Sequence, residues 1–231
     1  MSSDDRTDER GRQRLPPGRH GLPRSFVIEN QRGRILAAVA DVTSAASYAE
    51  MTVEDIIVTA GVSRRTFYEH FKNKEDAFLA AYEAVVKQLL TGVSTAVEAE
   101  SDFPSRVAAG LGAFLDFVAA EPAFARMCIV EVLTAGSEAI SRRNTAMTAF
   151  SQLIDENART LLGREDVPAL TAETIVGGIY EVLYTRVLRG EIREAPSLLP
   201  DLTYSALLPY MGAKAAAAER LRLVEERAAA R

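Results

Sequence analysis

Between residues 64 and 74 the chain reads RRTFYEHFKNK, which sets Arg64, Arg65, Thr66, Tyr68, His70, Lys72 and Lys74 around two phenylalanines. An arginine fork matches the O6 and N7 acceptors of a guanine edge, while hydroxyl, imidazole and ammonium groups donate to phosphate oxygens. The chemistry on offer is recognition of a nucleic acid, with Arg64 and Arg65 as base readers and Thr66, Tyr68, His70, Lys72 and Lys74 as backbone clamps. The net charge of -5 over 231 residues argues against binding over the whole surface. Affinity follows local charge, however, and the basic groups cluster in the first third.

Such a set acts only if a rigid surface presents it. Val53, Ile56, Ile57 and Ala60 fall at i, i+3, i+4 and i+7, a single apolar helical stripe. Thr52 precedes it as an N-cap and Asp55 completes a capping box, so a helix starts at about Val53. Gly61 follows, where the chain must leave that helix in a left-handed conformation. Ser63 caps a second helix whose Phe67 and Phe71 turn inward and whose Arg65, Thr66, Tyr68 and Glu69 face outward. The free N–H groups at such a helix start also favour a phosphate, and Thr52 and Ser63 complete the contact set. Two helices joined by a short turn containing glycine form a helix-turn-helix, whose second helix enters the major groove of DNA.

The segment AGVSRRTFYEHFKNKEDAF closely resembles the signature of TetR/AcrR-type transcriptional regulators, in which an A-G-V-S turn precedes a T-F-Y-x-H-F recognition helix and a K-x-K step opens the fourth helix. The resemblance extends back through ILAAVADV and MTVEDI and covers residues 30 to 80; beyond them only an all-helical C-terminal domain corresponds. One departure is Ala46-Ser47-Tyr48, where the family usually has a glycine before the aromatic that helps to end its first helix. The resemblance implies a homodimer on partly palindromic double-stranded operator DNA, released when a small-molecule effector enters the C-terminal domain, with repression the usual output. A C-terminal domain that only dimerises is the alternative.

With 48% hydrophobic residues, abundant alanine and no tryptophan, the chain is expected to be all-α. Its expected divisions are a basic arm at 1–24, a three-helix helix-turn-helix domain at 25–74, a helical effector-binding and dimerisation domain at 75–218 and a charged tail at 219–231. From about Ala213 the chain reads as exposed helix. In the arm, Arg10, Arg12, Arg14, Arg19 and Arg24 suit either a solvated tail or a strand lying along phosphates or in a minor groove. The single cysteine, Cys128, excludes an internal disulfide and a cysteine-based zinc site, which suits the cytoplasm. The longest apolar run, Val107 to Leu115, is too short to span a bilayer, and no membrane partner is expected. His20 and His70 lie apart and Cys128 sits among apolar residues, so no catalytic cluster, metal site or cofactor is expected, and the chain does not read as an enzyme. Gly110-x-Gly112 lacks the third glycine and the preceding strand of a dinucleotide loop, leaving helix packing as its reason.

Apolar stripes and breakers place further helices from Arg32 to about Ser44, Asn73 to Gly92, Phe103 to Glu121, Pro122 to about Leu133, Ser137 to Leu162, Thr171 to Gly190 and onward from Pro200, with Pro209 kinking the last. Among the middle helices, Phe114, Phe117, Phe124, Met127, Phe150 and Tyr180 suit an apolar ligand, with Glu131 and Arg126 orienting its polar end, or else form plain core. Gly177 and Gly178 permit close backbone approach, and Ile179, Leu183, Leu202 and Leu207 supply apolar contact for a dimer through the last two long helices, or else pack within one subunit.

Overall fold

The computed structural model describes residues 24–163 and 166–229, and every regular element among them is helical. Residues 1–23 of the basic arm lie outside the described residues. Helix α1 (Arg24–Ala46) starts well before the Ile35 stripe and buries Ile35, Ala38, Val39 and Val42. It ends without glycine: Ser47 itself takes a φ of 78°, the left-handed conformation that glycine adopts without strain. That conformation costs a side-chain-bearing residue on the order of 1–2 kcal/mol. The loop it opens is held from outside by Lys74, whose ammonium donates to the carbonyls of Tyr48, Ala49 and Met51 at 3.1, 3.3 and 2.9 Å.

Helix α2 (Val53–Ala60) and helix α3 (Arg64–His70) follow, joined through Gly61 at a φ of 59°. Helix α4 (Lys74–Glu98) does not stop at Gly92 but continues to bury Val93 and Val97. Then come α5 (Phe103–Ala120), capped by Asp102, and α6 (Pro122–Ile129), with Pro122 in its first turn. The stretch expected to extend α6 to Leu133 is instead a 3-10 turn, Glu131–Leu133. Helices α7 (Ser137–Leu162) and α8 (Thr171–Leu188), a 3-10 segment Ile192–Leu198 and α9 (Leu199–Ala229) complete the chain.

Helix α5 is the centre of the body, packed by α4, α6, α7, α9 and the Ile192–Leu198 segment. Alone among the described helices it has the length and hydropathy to cross a bilayer. Gly110 brings α5 against α4: a β-carbon there would stand 2.9 Å from Val97 Cγ2, so the glycine serves packing, as its spacing suggests.

Two features depart from expectation. The core beneath the helix-turn-helix, built on Ile35, Val39, Ile56, Phe67 and Phe78, runs on without a break into Met127, Val132, Ala135 and Ala139 of the body. A division at residue 74 therefore cuts through a continuous core. The break in α9 falls at Gly212 (φ 79°, ψ 167°) and not at Pro209. Beyond it the chain doubles back: Arg220 pairs with Asp201 at 2.6 Å and Arg227 donates to the carbonyl of Pro196. Ala216 and Leu223 are buried by this return, so the tail is helical but not wholly exposed.

Candidate nucleic-acid interface and interior cavity

The helix-turn-helix is locked by local bonds. The Thr52 hydroxyl accepts from the Asp55 N–H at 3.2 Å, and the Asp55 carboxylate accepts from the Thr52 N–H and hydroxyl at 2.9 and 2.6 Å. The side-chain bond from Thr52, followed by its backbone bond, holds the Asp55 carboxyl below the usual range. Ser63 accepts from the Thr66 N–H at 3.0 Å and shares a hydroxyl–hydroxyl bond with Thr66 at 2.9 Å. Arg34 of α1 reaches across to the turn and donates to the carbonyls of Ala60 and Gly61, the latter at 2.7 Å. Sequence reasoning missed Arg34; its only signal is an arginine directly beside the buried Ile35.

Arg64, Arg65, Tyr68 and Lys72 are exposed, and His70 is half-buried beside them. Arg65 is 90% exposed, held only by Glu69 one turn along α3 at 3.0 Å, and Arg64 pairs with Glu54 of α2 at 2.9 Å. Tyr68 stands edge-on to the buried Phe67. Burial, then the charge of Arg32, lowers the His70 pKa, so its imidazole is neutral at pH 7. Arg32, lying over the Phe71 ring at 5.5 Å, adds a cation that the sequence reading did not include. Lys74 belongs elsewhere: its three donors are spent on loop carbonyls and its ammonium lies 4.9 Å from the Tyr48 ring centre, so it is a strut and not a free phosphate clamp. Thr52, Ser63 and Thr66 likewise commit their hydroxyls to caps.

Within the body is a cavity of about 150 Å³ lined by α4 to α8 and Ala206 of α9. Phe114, Phe117, Phe124, Phe150 and Tyr180 of the candidate effector set line it, with Phe114 edge-on to Phe150 at 5.6 Å. Met127 and Glu131 do not. Helix α6 turns Phe124 and Cys128 to the cavity and Met127 the other way, into the core under α1. Glu131, 4% exposed, accepts from the backbone N–H of Tyr48 at 2.9 Å and pairs with Arg126 at 3.1 Å, binding the body to the reader instead of facing a ligand.

Of the expected dimer residues, Leu183 faces the cavity and Leu207 is fully buried, so these two pack within the subunit, while half-buried Ile179 borders both the cavity and an outer groove. Gly178 is exposed, and a β-carbon on it or on Gly177 would meet nothing within 4 Å. A shallow groove runs past Gly178, Val182, Leu202 and Pro209. Cys128 owes its partial accessibility to the cavity it faces; burial pushes its thiol up to about 12, leaving it neutral. The polar lining residues Tyr82, Arg106, Arg143 and Asn157 were not anticipated.

Residues 35–81 match the family model for bacterial regulatory proteins of the tetR family. The N-terminal domain belongs to the TetR family. Over 118 residues, 51% of this chain and 54% of the relative, the sequence is 30% identical to the HTH-type transcriptional activator FasR of Mycolicibacterium smegmatis. The chain thus spans about half the length of the curated relatives it matches. The fatty acid degradation regulator FadR from Bacillus halodurans superposes with a TM-score of 0.69 at 18% identity, over 79% of this chain and 95% of that one. The transcriptional regulator FadR from Bacillus subtilis, solved in complex with stearoyl-CoA, gives 0.67 at 18% identity over 78% and 98%. At these identities the likeness is one of fold: a TetR-family helix-turn-helix followed by a helical domain.

Proposed function

We propose that this TetR-family chain is a cytoplasmic transcriptional regulator that binds a partly palindromic operator as a homodimer and leaves it when an amphipathic effector enters the cavity, so that its output is repression. The observation that carries the reading is the capped α2–Gly61–α3 unit with Arg65 exposed on its outer face, paired only with Glu69 of the same helix. An exposed i,i+4 pair such as Arg65–Glu69 is worth only about 0.3–0.5 kcal/mol. A bidentate contact to guanine is worth about 1–3 kcal/mol, so Arg65 gains by exchanging one for the other.

The open face at Gly178 and the groove beside it support pairing of two subunits through α8 and α9. An interior cavity argues against a body that only dimerises. Its lining follows α4 from Tyr82 to Val97, about 22 Å at ~1.5 Å per residue. At about 150 Å³ the cavity is smaller than the ~300–1,000 Å³ of ordinary ligand pockets, so an acyl chain lying along α4 must part the surrounding helices as it enters. The stearoyl-CoA held by the structurally similar Bacillus subtilis FadR favours the same class of effector. Because α6 lines the cavity with one face and packs under α1 with the other, a ligand that displaces α6 also shifts the reader.

Selection of bound sequences from random DNA tests the first step. The expected product is a two-fold related pair of half-sites about one helical turn, or a multiple, apart; recovery of no enriched sequence sinks the reading. The sign of regulation is tested separately, since FasR is an activator: a reporter behind the selected operator should fall when the protein is expressed and rise again with the effector.

A further inference from the structure

The cavity wall contains two arginines and no carboxylate. Arg106 is satisfied, donating to Asn157 Oδ1 at 2.7 Å and to the Glu100 carbonyl at 2.8 Å. Arg143 is only partly so: its guanidinium lies 4.1 Å from the Tyr180 ring centre, shares a side-chain hydrogen bond with Tyr180 and reaches the neighbouring Asn144 side chain at 3.0 Å, while its buried Nε has no hydrogen-bond partner. Among the described residues no carboxylate pairs with it, in contrast to its neighbour Arg142, which pairs with both Glu83 and Glu138. A half-buried cation stacked on a ring at an apolar wall, with no carboxylate beside it, is a favourable seat for an anion. Tyr82 of α4 and Cys128 of α6 line the same cavity, and both are neutral, burial raising each one's pKa, so no anion of the protein competes there.

We propose that Arg143, seated on Tyr180, is the specificity-determining anchor for the anionic head of an acyl effector, whose tail runs along α4 toward Val97. The inference rests on the effector reading above and adds the charge and direction of the ligand. Arginine suits this role because its fork can bind a carboxylate or phosphate with two parallel bonds. A free fatty acid and an acyl-CoA share the anionic head and acyl tail, and the probes separate these two sources.

The test is calorimetric binding of dodecanoate, dodecanoyl-CoA and the neutral 1-dodecanol to the full chain, to Arg143→Gln and to Arg143→Lys, with helical circular dichroism and operator binding confirming that each variant folds. For wild type, at least one anionic probe should bind about tenfold or more tighter than dodecanol. Arg143→Gln should reduce that preference to about threefold or less while leaving dodecanol affinity unchanged, and Arg143→Lys should restore part of it. Tight dodecanoate binding identifies the free acid as the source; binding of dodecanoyl-CoA alone, weakened in Arg143→Gln, identifies the thioester. Affinity for dodecanol equal to that for both anionic probes in wild type, or discrimination that survives in Arg143→Gln, overturns the anchor and leaves the effector reading standing. Failure of all three probes to bind wild type overturns both.

Discussion

Arg65 and Lys72 separate reading from holding. Replacing Arg65 by Ala should cost about 1–3 kcal/mol on the selected operator and relax base preference at one position in each half-site. Lys72→Ala should weaken binding to all sequences alike and reduce the salt slope by about one unit for each phosphate that the ammonium neutralises. Competition binding at two salt concentrations measures both; if Arg65→Ala loses affinity evenly on operator and random DNA, its role as base reader is wrong. His70 gives a pH dependence of defined sign. Its folded pKa lies below the free value of about 6.5, so the unfolded chain takes the proton first. Its contribution to stability is complete above about pH 6.5 and is lost as pH falls through the folded value. A phosphate beside the ring acts oppositely and favours the imidazolium, so operator binding should tighten as pH falls from about 8 to about 6, and His70→Gln should flatten that trend. At this scale residue type is legible in the sequence and partner is not. Lys74 follows the K-x-K pattern, yet its ammonium is fixed by carbonyls more than twenty positions back, a bond set by the path of the loop and without trace in local spacing. Lys74→Met should therefore act first on folding, lowering the thermal midpoint before it alters the salt dependence of DNA binding.

Among the elements, α2, α3 and the start of α4 match their sequence signals to the residue because Thr52, Gly61, Ser63 and Asn73 each perform a capping task that few residue types can perform. Helix α6 shows where such reading stops. Both of its faces are apolar, so periodicity alone does not say whether Phe124 or Met127 looks into the body, and Glu131, a plausible ligand partner by type, serves the Tyr48 N–H instead. In α9 the stronger breaker by propensity, Pro209, sits inside helix, while Gly212 supplies a backbone conformation that other residues rarely adopt. The buried position of Glu131 yields a prediction for the joint it makes. Glu131→Ala should cost about 2–3 kcal/mol by stranding the Tyr48 N–H and the partly buried Arg126. Glu131→Gln, which keeps an acceptor, should cost less. Both are read by urea denaturation, and in Glu131→Ala the effector should still bind yet release DNA less completely; full release would show that coupling runs by another route.

For the molecule as a whole, the continuous core from the helix-turn-helix through Met127, Val132 and Ala139 means that reader and body unfold as one unit. The composition conveys an all-helical body, but which stripes turn inward depends on long-range packing. Leu183 and Leu207 are equally apolar candidates for an outer face until the interior claims their side. Of the residues expected at the seam, Gly178 is the one that stands exposed on α8, with Ile179 half-buried at the groove beside it. Gly178→Glu places a charge where nothing within the subunit opposes it, so the monomer should keep its fold and melting temperature while light scattering at micromolar concentration shows loss of the dimer. A variant that still dimerises normally would move the interface away from α8.

Tyr48 is held on both sides of its peptide chain: its N–H by a carboxylate of the body and its carbonyl by the first residue of α4. Its amide proton is consequently an internal gauge of engagement between the two halves. Bonded to buried Glu131, it should be among the slowest to exchange with solvent deuterium in any loop of this chain, and its exchange rate reports the link without a label or a reporter gene. A single resonance, followed as effector or operator is added, would register which ligand loosens the joint and which one tightens it.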